Sequence, residues 1–158
     1  MKKIVNPWSG YEGYFCFGCA PENPYGLHME FYEDGDDIVS HWKPTRYVQG
    51  WIKTLHGGIQ ATLMDEIGAH VVSRKLQTTG VTSKLNVTYL KSISTDEPEL
   101  TIRSRMTERK RNAIFIGAEI MNSAGEPCST AEMVYFVASP EKARDELGFC
   151  GCHTEDEL

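Results

Sequence analysis

The residues with the most chemical potential lie in one stretch, HGGIQATLMDEIGAHVVSRKL, which begins at His56. Gly57 and Gly58 carry no side chains, so bare backbone N–H groups there can come up to a ligand. The stretch then continues as a helical pattern with Asp65 and Glu66 near its middle. The first turn of a helix leaves N–H groups without partners, and the positive end of the dipole adds to them. An anionic oxygen is well placed against such a start, and a carboxylate further along supplies a base or nucleophile. At about 100° per residue, Ile59, Leu63, Met64, Ile67, Gly68, Val71 and Val72 cover a broad apolar arc. Thr62, Asp65, Glu66, Ala69, His70 and Ser73 gather on the remainder, which gives an amphipathic helix of about five turns.

The elements that must position this helix follow from pattern. Residues 1–25 are dense in Gly, Pro and aromatic side chains and hold no period, which predicts an irregular arm packed on the body. Leu27 to Tyr32 alternates, as does Asp37 to Trp42, and the Gly-containing acidic turn between them predicts a hairpin. Thr45 to Leu55 is a loop into the helix. After the helix, strands are expected over Val81 to Ile93, Glu99 to Glu108, Ala113 to Met121 and Cys128 to Val137. Residues 140–158 form a tail with a short helix followed by Phe149, Cys150, Gly151, Cys152 and His153. One helix cannot cover about six strands from outside. A strongly curved antiparallel sheet wrapped around it is the economical α+β solution, and the element order is that of the hotdog fold.

A chain of 158 residues suits a single domain with its own core. A net charge of −6 argues against a nucleic-acid partner, which would demand a basic face. There is no apolar run of the roughly 20 residues that span a bilayer, and no signal-peptide pattern follows the N-terminal lysines, so the expectation is no membrane partner and a cytoplasmic location. Five cysteines is an odd number, and they read as thiols or ligands rather than a disulfide scaffold.

Several of these residues together carry a resemblance. Cys16–Phe17 with Cys19, Asn23–Pro24 with Gly26–Leu27, Gln49–Gly50–Trp51, His56–Gly57–Gly58 and Asp65–Glu66 resemble the hotdog acyl-CoA thioesterases of the phenylacetic-acid-degradation (PaaI) type. The resemblance runs from about Cys16 to Val137. It implies a homodimer or dimer of dimers that hydrolyses acyl-CoA, with no required cofactor, CoA being part of the substrate. It also places His56 at the site and makes Asp65 the nucleophile or the general base for water, with Glu66 second. Gly57 and Asp65 are eight residues apart, or about 12 Å of helix rise, too far for both to touch one carbonyl carbon. A two-fold dimer with antiparallel helices would bring Asp65 of one chain to Gly57 of the other, the arrangement the resemblance implies.

Gln49 has an amide suited to positioning water or the thioester, and Thr82 corresponds to a small hydroxyl residue in some members. Arg109, Lys110 and Arg111 form a basic turn where the family meets CoA phosphates, and guanidinium matches phosphate geometry. Cys16 and Cys19, taken with Cys150, Cys152 and His153, could furnish four ligands for a structural zinc. Two other functions share the fold: a hydratase or dehydratase acting on acyl thioesters, and a non-catalytic acyl-CoA binding module.

Overall fold

The computed structural model describes residues 1–158. One long helix, α1 (Gly57–Leu76), lies against a seven-stranded antiparallel sheet. The strands are β1 (Lys2–Lys3), β2 (Tyr32–Asp34), β3 (Asp37–Trp42), β4 (Gly80–Tyr89), β5 (Leu100–Lys110), β6 (Ala113–Met121) and β7 (Pro127–Val137), in the order β1-β2-β3-β5-β6-β7-β4. A second helix, α2 (Pro140–Leu147), begins at a proline, is capped by Ser139 and ends at Gly148 in the left-handed conformation. The curved sheet around a central helix is the expected hotdog architecture. The expected count of about six strands becomes seven because the two residues of β1 pair with β2 inside the arm predicted to be irregular.

Leu63, Met64, Ile67, Val71 and Val72 of α1 are buried against sheet residues such as Ile102, Ile114, Ile116 and Met133. The face expected to be polar is also covered. His70 is only 5% exposed, with its ring stacked on Phe31 at 3.7 Å. The cover is the chain before β2. Leu27, Met29 and Phe31 alternate inward as expected, yet only Tyr32–Asp34 is strand. Leu27 N–H donates to Phe17 O at 2.7 Å and Met29 N–H to Gly18 O at 3.0 Å, so this segment bonds to the arm instead of the sheet.

The tail is clamped rather than loose. Ile4 pairs with Thr154, Trp8 packs on Phe149, and Arg74 near the end of α1 grips Glu33, Glu157 and the carbonyl of Cys152. The strand expected to reach Ile93 stops at Tyr89, because the N–H groups of Leu90 and Lys91 both turn to Cys128 O.

Candidate active site

The start of α1 is built by its own N-cap. His56 Nδ1 accepts from Gly58 N–H at 2.9 Å, while His56 O takes Ile59 and Gln60 N–H. Gly58 N–H, expected to help hold an oxyanion, is therefore already spent on the cap. Gly57 N–H has no acceptor within the chain. Because Nδ1 is the acceptor, a neutral His56 ring carries its proton on Nε2, which is a further donor on the loop into α1. Both glycines sit at close approaches: a Cβ at Gly57 would stand 3.2 Å from the Tyr89 hydroxyl, and one at Gly58 would stand 3.1 Å from His56 Nδ1. Tyr89 in turn donates to Gly57 O at 2.6 Å, tying the end of β4 to the helix start. His56, Gly57, Gly58, Tyr89 and Lys91 line an open groove of about 460 Å³.

Gln49 is next to this groove. His56 N–H donates to Val48 O at 3.0 Å, and Gly50 packs so tightly on His56 that a Cβ there would lie 3.3 Å from its Cα. The Gln49 Oε1 accepts from Lys53 N–H at 3.2 Å, which leaves its NH₂ free to donate.

Asp65 sits two turns further along α1, half-buried, facing β4 and β7. Its Oδ1 accepts from Thr82 Oγ1 at 2.7 Å and from the Tyr135 hydroxyl at 2.7 Å; Oδ2 takes no hydrogen bond from the chain. Thr82 and Tyr135 are cross-strand partners in the β4/β7 ladder, so two adjacent hydroxyls address one carboxylate oxygen. A β-bulge between Thr82 and Lys84 makes this possible. Thr82 reaches α1 and Leu85 packs on the same core, three residues apart, whereas an unbroken strand of period two would send one of them outward. Gly68, one turn past Asp65, makes room for the tyrosine, since a Cβ there would lie 2.7 Å from its hydroxyl. Tyr135 is 1% exposed, and burial followed by the Asp65 charge pushes its phenol well above the ordinary range, so it acts as a donor. The sequence reading missed it. The available signal was its phase in β7, on the core face with Ala131 and Met133, where a buried hydroxyl must find a partner.

Glu66 does not join Asp65. The rotation of about 100° per residue carries it to the face under the N-terminal arm, where it accepts from Cys16 Sγ at 3.3 Å. Burial raises its carboxyl above the ordinary value. Arg109, Lys110 and Arg111 lie at the far end of the molecule. Arg109 and Arg111 line a shallow groove with Leu76 and Thr78, at the C-terminal end of α1. The predicted four-ligand zinc site is not assembled either. Cys16 and Cys19 cluster with Glu66, while Cys150 contacts Tyr11 at 3.1 Å and Cys152 is buried with its backbone held by Arg74 and Gln77.

Comparison with known proteins bears on the family and the fold. A sequence model of the thioesterase superfamily matches residues 52–129, from the loop before α1 into β7. No curated protein sequence matches significantly. Among solved structures, a hypothetical thioesterase from Streptococcus pneumoniae, determined with coenzyme A, is 28% identical, with a TM-score of 0.65 over 70% of this chain and 86% of that one. A Streptococcus mutans protein determined with acetyl-CoA shares the fold at 18% identity and a TM-score of 0.66, covering 83% of this chain and 98% of that one. A further thioesterase-superfamily protein is 22% identical, with a TM-score of 0.67 over 73% of this chain; the match spans 60% of that longer relative. No helix here is long and apolar enough to cross a membrane. On the architecture, with the family match across α1 and the strands that follow, the chain is a hotdog-fold protein similar to the thioesterase superfamily.

Proposed function

We propose that the protein hydrolyses acyl-CoA thioesters to the free acid and CoA, working as a PaaI-type homo-oligomer. The observation that carries the reading is Asp65, whose Oδ1 is held by Thr82 and Tyr135 while its Oδ2 is left free, on the same helix whose first N–H, at Gly57, has no acceptor. Gly57 N–H, assisted by His56 Nε2–H, takes the thioester oxygen as it becomes anionic. Asp65 removes a proton from the water that attacks the carbon, or attacks the carbon itself to form an anhydride that water then hydrolyses; in either case the carbon–sulfur bond breaks to release CoA thiolate. Gln49 orients the acyl carbonyl or the water through its free NH₂.

A second copy supplies the missing reach. Strand β4 is a ten-residue edge with Val81 68% exposed and Tyr89 and Leu90 also exposed, an uncovered template for pairing. Antiparallel β4 to β4 pairing sets the two α1 helices antiparallel, Asp65 of each chain toward Gly57 of the other. The same two-fold carries the basic turn at the C-terminal end of one α1 toward the Gly57 groove of the other, where Arg109, Lys110 and Arg111 meet CoA phosphates. The ligand in the Streptococcus pneumoniae relative, coenzyme A, supports this carrier. The test is thiol release across aryl, short, medium and long acyl-CoA esters. Hydrolysis frees the CoA thiol; consumption of an enoyl-CoA without thiol would instead identify a hydratase, and binding without turnover would identify a binding module.

A further inference from the structure

The hydrolytic site leaves unused a built cluster on the other side of α1. Cys16 and Cys19 belong to a Cys-Phe-Gly-Cys turn, closed by Ala20 N–H donating to Cys16 O at 3.0 Å. Both carbonyls inside the turn are tied down, Phe17 O by Leu27 N–H and Gly18 O by Met29 N–H. The two sulfurs and a Glu66 carboxylate oxygen all lie within 4.8 Å of one another. A Cβ at Gly18 would stand 2.5 Å from the Glu66 Cγ and Cδ, so the glycine leaves open the space the carboxylate occupies. The turn is therefore shaped to admit a carboxylate between two thiols. The thiols differ in access. Cys16 is half-buried between exposed Phe15 and Phe17, whereas Cys19 is 4% exposed and bonded to the Tyr14 hydroxyl at 3.0 Å.

We propose that Cys16 and Cys19 form a reversible dithiol/disulfide site, with Cys16 as the attacking thiol, Cys19 as the resolving thiol and Glu66 as the proton acceptor. The co-reactant is a small-molecule disulfide. Cys16 thiolate attacks one sulfur of the disulfide, forming a mixed disulfide and releasing one thiolate. Cys19 passes its proton to Glu66 and attacks Cys16 Sγ, which expels the second thiolate. The dithiol is oxidised by two electrons and the small disulfide is reduced to two thiols, the protons of Cys16 and Cys19 ending on them. Electrostatics favour this order. The neighbouring Cys19 sulfur lowers the Cys16 thiol, Cys16 together with burial raises Cys19, and burial raises Glu66 so that it can take a proton.

The site adjoins the hydrolytic carboxylate by sequence, Glu66 following Asp65, but the inference does not depend on hydrolysis. The full chain is equilibrated with graded ratios of glutathione to glutathione disulfide, quenched with acid, alkylated and mapped by peptide mass spectrometry. The expected product is a Cys16–Cys19 disulfide that dithiothreitol reverses. Cys19→Ser should trap glutathione on Cys16, and Glu66→Gln should slow closure of the mixed disulfide by about tenfold or more. A pair that stays reduced while glutathione accumulates only on Cys150 overturns the proposal. Purified protein that carries one zinc per chain and shields both thiols overturns it too, in favour of a metal site.

Discussion

Tyr135 on β7 donates its single proton to Asp65 on α1, its hydroxyl 2.6 Å from the Asp65 carbonyl oxygen and 2.7 Å from Oδ1. Seventy residues of sequence separate the two, and the contact joins the sheet to the helix at the Asp65 carboxylate. Thr82, opposite Tyr135 in the ladder, completes the grip. A carboxylate so held keeps one oxygen directed and one free, the geometry a general base or nucleophile needs.

Asp65→Asn keeps an oxygen for Thr82 and Tyr135 and removes the base. Thiol release from acyl-CoA should fall by about 100-fold or more, with the melting temperature nearly unchanged. Near-normal turnover would remove Asp65 from the mechanism.

Tyr135→Phe deletes one donor without opening a cavity. The expected cost is about 1 kcal/mol in denaturant unfolding, with a fall in kcat smaller than that of Asp65→Asn. Combined with Thr82→Val, the loss of kcat should exceed the product of the single losses, because either hydroxyl alone can still orient Oδ1.

Gly68→Ala should destabilise the protein even though alanine favours helix by about 1 kcal/mol over glycine. The new Cβ meets the Tyr135 hydroxyl at 2.7 Å and Met133 Cε at 3.1 Å, and a ring buried at 1% exposure has nowhere to move. A higher melting temperature with unchanged turnover would contradict the packing described.

Leu90→Asp places a charge beside the exposed edge formed by β4. Sedimentation should show dissociation toward monomer, with loss of thiol release in parallel. A fully active monomer would refute a site completed by a second copy.

Acid should unfold the protein in two stages. His70 is held neutral by burial, which pushes its pKa below the ordinary 6.5. A group with a lowered folded pKa stabilises above its unfolded pKa, so this contribution erodes as pH falls below about 6.5, when only the unfolded chain takes up the proton. Arg74 first, and Lys75 with it, hold Glu33 below the ordinary carboxylate range, so its contribution is intact above about 4.3 and is lost as pH falls through the folded value. Chemical denaturation across pH should show both, and Glu33→Gln should flatten only the lower one.

The sequence by itself determined what depends on neighbours along the chain. The period of Ile59 to Val72 specified α1, the glycine pair marked its start, and strand patterning located β3, β5, β6 and β7 within about two residues, while β4 ends at Tyr89 and not at Ile93. The spacing of Gly57 and Asp65 already set the helix start and the carboxylate about 12 Å apart along one helix. What the tertiary structure decided depends on contacts between segments far apart in sequence. The N-terminal arm buried His70 and drew Glu66 to the cysteines, which no helical period can register. The cross-strand pairing of Thr82 with Tyr135 depends on one bulged residue, and a one-residue change of register reverses every side chain of a strand. The cysteine pairs, plausible together on spacing alone, parted because the arm and the tail each folded onto a different part of α1.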